Sequence, residues 1–190
     1  MNDFKNYQHL LDAVRQNYAS VVWTHKIQEK QSDIYLSRYN HLQMINLTFS
    51  AFTSAGALSL FSDPESSLAK VITVITSFIA LSITSYLKFF DFLALSKQNK
   101  DAANKLLTIR NELFLLISDL HMMNKDINDL TNIHTDIVKR LNNLYLEIPT
   151  TTDKAVKHAA KALNINKEYT YTDEEIDHFL PDSLKGRIIK

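Results

Sequence analysis

Histidine is the residue type in this 190-residue chain with the most versatile chemistry, but the spacing of its seven copies builds no site. There is no HExxH motif, and no two histidines stand four residues apart, as a helical zinc site requires. The seven are His9, His25, His41, His121, His134, His158 and His178. The sequence therefore predicts no metal site.

The sequence also lacks the motifs of a catalytic nucleophile and of a phosphate-binding loop. The chain has no cysteine, its serines form no GxSxG elbow, and its two glycines, Gly56 and Gly186, lie too far apart for a Walker loop or a GxGxxG fingerprint. We therefore expect a protein that is not an enzyme and binds no cofactor. With 21 basic and 21 acidic residues the formal charge is zero, which argues against a nucleic-acid partner.

Two charge-free windows are the strongest structural signal in the sequence. The first runs over residues 42–61 and the second over residues 71–87. Each has the length of a helix that crosses a bilayer, which takes roughly 17–25 residues. The alternative is that both windows form the buried hairpin of a soluble, non-enzymatic helical scaffold or interaction protein.

The short connection between the windows fixes the geometry of a membrane hairpin. It contains Pro64, which ends the first helix, and it leaves room only for a tight turn between antiparallel spans. Seven basic residues flank the outer ends of the windows and only Lys70 lies in the hairpin; the seven are Lys26, Lys30, Arg38, Lys88, Lys97, Lys100 and Lys105. The positive-inside rule then places both termini in the cytoplasm.

A heptad seam follows the second window. Twelve positions succeed one another in steps of three and four, and all except His134 are apolar: Leu106, Ile109, Leu113, Leu116, Leu120, Met123, Ile127, Leu130, His134, Ile137, Leu141 and Leu144. This repeat is typical of a coiled coil. It predicts that the second span continues as one long cytoplasmic helix to about Glu147, before Pro149.

The N-terminal segment has a seam of its own, so two amphipathic helices enter the hairpin. Its positions are Phe4, Tyr7, Leu11, Val14, Tyr18 and Val21. The seams can close within one chain or between subunits, and the second case gives a physical reason to expect homo-oligomers. At the seam, His134 is interpreted as a polar residue that sets the register or senses pH rather than as a ligand.

The second window carries polar residues at helical spacing. Thr73, Thr76, Ser77, Ala80 and Thr84 share one face of the predicted span. Two roles are open for this face: packing of the two spans, or lining of a hydrated pore in an oligomer. The fold class expected from these patterns is all-α, an integral membrane hairpin that continues into long amphipathic, coiled-coil helices.

Residues 151–190 differ in character from residues 1–150. Thr172 and Glu175 have the spacing of a capping box, which predicts a short helix beyond a linker. A partly disordered tail is the alternative. We therefore divide the chain into a domain at residues 1–150 and a short C-terminal tail at residues 151–190.

The segment VVWTHKIQEKQSDIYLSRYNHLQMINLTFSAFTSAGAL, residues 21–58, resembles the SLATT family, the SMODS- and SLOG-associating two-transmembrane effector domains of prokaryotes. The short hairpin, the long cytoplasmic helix and the Leu-Tyr-Leu-Glu-Ile-Pro stretch at residues 144–149 are also similar to that family. The resemblance covers about residues 1–150.

The resemblance implies a membrane effector of an antiviral conflict system. Such an effector forms a pore in the inner membrane that kills or arrests the infected cell, and a separately encoded nucleotidyltransferase makes the second messenger that a sensor detects. In this context Trp23, His25, Lys26 and Glu29 are candidates for a gating or subunit-contact cluster beneath the membrane. The alternative is that Trp23 packs on a neighbouring helix while the charges are solvated.

Overall fold

The computed structural model of the chain describes residues 2–181 and residue 185. Throughout this part of the chain the regular structure is helical, as the sequence predicts. The helices are α1 (Asn2–Ser62), α2 (Ser67–Phe90), α3 (Phe92–Met122), α4 (Ile127–Glu147), α5 (Asp153–Ala160), a π-helical segment (Lys161–Ile165) and α6 (Asp173–Phe179).

Helix α1 is one uninterrupted rod of 61 residues. It contains no proline, and its single glycine, Gly56, lies near its C-terminal end. At 1.5 Å per residue the rod is roughly 90 Å long. Its charged N-terminal part and its apolar window at residues 42–61 therefore belong to the same rigid element.

Helices α1 and α2 form the predicted hairpin. A turn at Asp63–Ser66 joins them, and the Ser66 side chain caps α2 by accepting a hydrogen bond from the Ala69 amide. The helices approach most closely where Gly56 faces Thr73, since a Cβ atom added at Gly56 would overlap Thr73 Oγ1. Glycine is needed at this crossing.

The apolar windows lie on the surface. In the most apolar 18-residue window of α1, no residue is buried. In the corresponding window of the segment Ser67–Met122, 11% is buried. Leu58 and Phe78, for example, are 67% and 71% exposed. Two stretches of helix are thus long and apolar enough to cross a membrane, and their exposure does not fit the soluble scaffold with a buried hairpin.

The prediction of one continuous helix from the second span to Glu147 is wrong at two places. The first is Asp91, which adopts a left-handed conformation at φ 40° between α2 and α3. Its amide donates to the Leu87 carbonyl, and its carboxylate accepts from the Ala94 amide, so Asp91 ends one helix and caps the next. Aspartate tolerates this conformation better than most residues do.

The second break is at Met123, also left-handed, after which α4 turns back along α3. Arg140 of α4 pairs with Glu112 of α3. Sequence periodicity missed this turn because Met123 and Ile127 keep the three-and-four spacing across it. Asp126, which caps α4 through the Asn128 amide, is the local signal of the new helix.

The two seams close within the chain. The N-terminal part of α1 packs with α3 and α4 in a three-helix bundle, and its core consists of Val14, Val21, Leu106, Leu113, Leu120, Leu130, Ile137 and Leu141. Helix α3 runs antiparallel to α1, since Ser32 meets Ser96 whereas the earlier Tyr18 meets the later Phe114. Helix α4 runs parallel to α1, since Tyr7 meets Lys125 and Asn17 meets His134. The bundle is therefore the direct continuation of the hairpin.

Beyond Pro149 the chain returns to α1. Ala155 and Ala159 of α5 are fully buried, and α5 packs on α1. The capping box predicted at Thr172 and Glu175 forms at the start of α6. Residues 182–184 and 186–190 of the predicted tail lie outside the described residues.

Candidate functional site

The core of the bundle changes from apolar to polar on its way to the membrane. Above Val21, the residues of α1 that point inward are His25, Lys26, Gln28, Gln31 and Ser32, all at most 5% exposed. Helix α3 meets them with the buried Ser96 and Asn99. Ser32 and Ser96 each donate from Oγ to the other's carbonyl, at 2.9 and 3.0 Å. A polar layer thus lies between the apolar core and the spans.

Lys26 is the centre of this layer. Its Nζ lies 2.6 Å from Glu29 Oε2 and 2.7 Å from Glu168 Oε2, and it stands over the Tyr169 ring at 4.0 Å. The Tyr169 hydroxyl donates to Glu29 Oε2 at 2.9 Å. We name the set His25, Lys26, Glu29, Glu168 and Tyr169 the Lys26 cluster. It joins α1 to a segment about 140 positions later in the chain.

Further cations surround the cluster. Arg110 of α3 lies over the Tyr169 ring at 4.8 Å, Lys30 Nζ is 3.8 Å from Glu168 Oε2, and Lys100 Nζ is 3.8 Å from Glu29 Oε1. The charge of the two carboxylates is therefore more than balanced. Because α1, α3 and the C-terminal segment each contribute, the cluster fixes three parts of the chain to one another.

We call residues 149–172 the strap, since they fasten the end of the bundle to α1. At its start, Gln28 Nε2 donates to the Pro149 carbonyl, and Gln31 Oε1 accepts from both the amide and the hydroxyl of Thr152. At its end, Lys167 and Tyr169 adopt positive φ of 53° and 75°. Such a backbone is costly for residues with side chains and is held by the contacts of Glu168 and Tyr169.

The protonation states of the cluster are fixed by its geometry. Burial alone would raise the pKa of Glu29, but the hydrogen bonds from Lys26 and Tyr169 outweigh burial and lower this pKa to about 2. Burial likewise opposes the charge of Lys26, yet its bonds to Glu168 and Glu29 raise its pKa above the ordinary value. The hydrogen bond from Lys26 lowers the pKa of Glu168. All three groups are therefore charged at neutral pH.

His25 is neutral in the same surroundings. Burial lowers its pKa to about 4, with the neighbouring cations Arg110, Lys26 and Lys100 acting in the same direction. Its ring lies 5.6 Å from the Tyr169 ring, and its buried Nδ1 has no hydrogen-bond partner among the described residues. Protonation of His25 would add a further charge to a site already rich in cations.

The Lys26 cluster is suited to fixing the positions of α1, α3 and the strap rather than to proton transfer. A general acid or base works best with a pKa near the working pH, whereas the charged groups here are driven away from neutrality. Buried, mutually satisfied charges fix one geometry of the chain instead. The Lys26 cluster has the properties of a clamp at the junction of bundle and spans.

Of the predicted gating residues, the structure brings His25, Lys26 and Glu29 together and leaves Trp23 apart. Trp23 is 36% exposed and makes no hydrogen bond or ring contact within residues 2–181. Three residues of the site, Glu168, Tyr169 and Arg110, were not predicted from the sequence. The one available signal was the charge pair of Lys26 and Glu29, which would need further partners if that face of α1 was to be buried.

The polar residues of the second span divide into two groups. The Thr76 hydroxyl accepts a hydrogen bond from Thr53 Oγ1 of α1 at 2.9 Å. Thr84 accepts a hydrogen bond from the Asn46 amide at 3.1 Å and donates one to the Asn46 carbonyl oxygen Oδ1 at 3.3 Å. Thr73 faces Gly56. Ser77, by contrast, is exposed. The first three residues thus lie between the spans, while Ser77 lies beside them.

His134 lies in the bundle, where its Nε2 is 2.9 Å from Asn17 Nδ2 of α1. Burial lowers the pKa of His134. Because the amide of Asn17 donates, the Nε2 atom is the acceptor and the ring is neutral. His134 therefore makes a specific polar contact between α4 and α1 in an otherwise apolar core.

Comparison with protein families gives one match. The model of the SMODS and SLOG-associating 2TM effector domain family 4 matches residues 10–175, a range that includes the hairpin, the bundle and the strap. No curated protein and no solved structure matched the chain. The chain belongs to this family of two-transmembrane effector domains, as the resemblance of residues 21–58 predicts.

Proposed function

We propose that this effector domain is a non-enzymatic, homo-oligomeric protein that permeabilises the inner membrane of a prokaryotic cell in an antiviral conflict system, causing death or arrest. The two spans cross the membrane, and the excess of basic residues outside the hairpin supports cytoplasmic termini. Activation comes from a separately encoded nucleotidyltransferase and its second messenger, directly or through a sensor.

The observation that carries the proposal is the difference between the two sides of the hairpin. The contact residues Thr53, Gly56 and Thr76 are each followed directly by a small, exposed residue: Ser54, Ala57 and Ser77. Ser50 lies one turn before Ser54 on the same face. The residues directly before Asn46, Thr53, Thr73 and Thr76 are large and apolar instead: Ile45, Phe52, Ile72 and Ile75 are 43–57% exposed, and only Ala55, before Gly56, is small.

The residues that follow contact positions and those that precede them lie on opposite sides of the hairpin because both helices are right-handed. Each residue of a right-handed helix advances about 100° in the same sense, and the two spans are antiparallel. A residue that follows a contact on α1 and one that follows a contact on α2 therefore lie on the same side of the hairpin. We call the side with Ser50, Ser54, Ala57 and Ser77 the hydroxyl face. Leu47 and Val74, which follow the contacts Asn46 and Thr73, also lie on this side, and the other side is more uniformly apolar.

A two-sided hairpin suits a ring of subunits. The apolar side is satisfied by lipid, whereas hydroxyls in a bilayer gain from another helix or from water. In the proposed oligomer the hydroxyl faces turn towards one another. They are in close contact in the resting state and line the water path in the open state.

The Lys26 cluster provides the coupling in this proposal. Helix α1 runs without interruption from the clamp into the first span, so a movement of α1 at Lys26 is transmitted to Ser50 and Ser54. The strap holds α1 against α3 in the resting state. Release of the strap lets the bundle rearrange and the hydroxyl faces separate.

Thiol accessibility tests the proposal directly, because the native chain has no cysteine that would react in the background. Ser77→Cys and Ser54→Cys are expressed in bacteria together with the activating system, and a membrane-impermeant thiol reagent is added. Ser82→Cys is the matched control, since Ser82 is an exposed serine six residues after Thr76, on the outer side of α2.

Loss of membrane potential upon activation is the first expected result. The reagent should then block the leak in Ser77→Cys and Ser54→Cys but not in Ser82→Cys. An activated cell that keeps its membrane potential would contradict the proposed function. A leak that the reagent blocks equally in all three variants would contradict the assignment of the hydroxyl face.

A further inference from the structure

A cleft of about 710 Å³ lies between α1 and α5 at the foot of the first span. Helix α1 contributes Arg38 and His41, and α5 contributes Lys154 and His158. Ile34 and Leu42 supply an apolar part of the wall. The cleft is distinct from the Lys26 cluster, with which it shares no lining residue.

The part of the cleft next to the first span lies at the depth of the headgroup layer of a bilayer. Leu42 begins the charge-free window, and Arg38 stands four residues earlier, about 6 Å along the helix axis. The polar layer on each side of the hydrocarbon core is itself about 5–7 Å thick. Arg38 and His41 therefore lie among headgroups whenever residues 42–61 span the membrane.

The charge of the cleft favours an anion. Neither Arg38 nor Lys154 forms an ion pair with an acidic group in residues 2–181, and both are exposed. The one acidic residue of the lining, Asp33, lies 4.0 Å from Lys30 Nζ, outside the cleft. Two cations and two histidines thus face one partly neutralised carboxylate.

Two of the four basic side chains, those of Arg38 and His41, are held in place by contacts within the protein. The Arg38 guanidinium stands 5.2 Å from the centre of the Phe92 ring, just beyond the helix break at Asp91. The His41 Nδ1 atom donates to the Ser37 carbonyl at 2.6 Å, which fixes the orientation of the ring at the edge of the cleft. An arginine fork beside a lysine is a common arrangement for phosphate recognition.

We propose that this cleft binds the phosphate of an anionic phospholipid headgroup from the cytoplasmic leaflet, with its acyl chains directed past Leu42 along the first span. The inference rests on the membrane placement in the proposed function. The bound lipid ties α5, and with it the strap, to the foot of the span, so the lipid composition of the membrane contributes to the resting state.

The test uses the purified full-length protein in nanodiscs that contain equal amounts of phosphatidylglycerol and phosphatidylcholine. Native mass spectrometry then counts the lipids that remain bound. Arg38→Gln and Lys154→Gln remove one cation each, and Lys154→Gln leaves the Phe92 contact intact. Lys139→Gln is the matched control, since Lys139 is exposed on α4 and has no ion pair within residues 2–181.

The native protein should retain phosphatidylglycerol in preference to phosphatidylcholine. Each cleft variant should bind this lipid about fivefold less tightly, the usual contribution of one basic residue at an anionic surface, and Lys139→Gln should be unchanged. Equal retention of the two lipids, or an equal loss in Lys139→Gln, would overturn the inference.

Two further outcomes separate the explanations. If soluble glycerol phosphate displaces the lipid, the cleft is a site for a free anion, and its assignment to lipid is wrong. A protein that does not enter the nanodisc bilayer would overturn the proposed function itself. Insertion without lipid preference would overturn only the lipid site.

Discussion

Lys26 is the residue on which the junction of bundle and spans depends most. Its side chain is 3% exposed and neutralises two carboxylates that come from distant parts of the chain. Removal of one partner from a buried ion pair leaves an uncompensated charge, which usually costs about 3–5 kcal/mol. Glu29 and Glu168 are partly exposed, so the lower end of that range applies here.

Lys26→Ala should therefore lower the free energy of unfolding by about 3 kcal/mol, measured by chemical denaturation in detergent. It should also release the strap, which limited proteolysis near residues 161–172 would detect. Lys139→Ala, an exposed lysine without an ion pair in the described part of the chain, should have an effect within about 0.5 kcal/mol. Equal stability of the two variants would contradict the clamp.

Acid should loosen the clamp in two steps, and in both of them stability falls as the pH falls. The pKa of His25 falls from 6.5 to about 4 on folding, so the unfolded chain takes up a proton first, and stability is lost as the pH falls from about 6.5 towards 4. The pKa of Glu29 is lowered to about 2, so its contribution is present above about 4.5 and is lost below that value.

Proteolysis of the strap as a function of pH measures these steps. His25→Gln should reduce the dependence between pH 6.5 and 4, to which His134 of the bundle also contributes, while leaving the loss below 4.5 in place, because glutamine does not titrate. A variant that keeps the full pH dependence of the native protein would show that His25 is not the group responsible.

At the scale of elements, the break at Asp91 determines the angle between α2, which belongs to the hairpin, and α3, which belongs to the bundle. The chain from Ser67 to Met122 contains neither glycine nor proline, so a single left-handed residue interrupts an otherwise continuous helix. The left-handed backbone costs about 1–2 kcal/mol for most residues, and the capping carboxylate offsets part of this cost.

Asp91→Ala should destabilise the native bend by about 2 kcal/mol, since alanine loses the cap to Ala94 and is less tolerant of positive φ. Asp91→Asn keeps both properties and should behave as the native protein. Paired spin labels on introduced cysteines in α2 and α3, together with thermal unfolding, measure the effect. Unchanged stability and distances in Asp91→Ala would show that Asp91 does not set the bend.

The helices themselves were largely predictable from sequence, whereas the breaks at Asp91 and Met123 were not. The charge-free windows and the seams locate α1, α2 and the buried faces of α3 and α4 because burial imposes a helical period on the residues. The period carries no information on the turn at Met123, where four residues reverse the chain without a change of phase. Only the capping residues Asp91 and Asp126 mark these breaks.

At the scale of the whole molecule, long-range pairing was beyond the reach of the sequence. Lys26 and Glu29 are close enough in sequence to be expected as a pair, but nothing local indicates that Glu168 and Tyr169 return to them. The same holds for Thr76 and Ser77, which are neighbours in sequence yet differ in role, since only the crossing at Gly56 decides which one faces α1.

The bundle, the strap and the hairpin all include or contact the continuous helix α1. The seams close within a single chain, so the bundle core is not available for oligomer contacts. The proposal therefore places subunit contacts on the hairpin, and Ser77→Leu, which fills the hydroxyl face with a bulky side chain, should lower permeabilisation at least tenfold. Ser82→Leu is the control and should be neutral.

Efflux of a trapped dye from vesicles that contain the purified protein tests the central claim most directly. Protease protection first establishes that the hairpin is inserted. The proposal predicts that vesicles with the native protein retain the dye and that vesicles with Lys26→Ala, whose strap is released, lose it. Full retention of the dye by the inserted Lys26→Ala protein, with its strap cleavable, would contradict a pore controlled by the clamp.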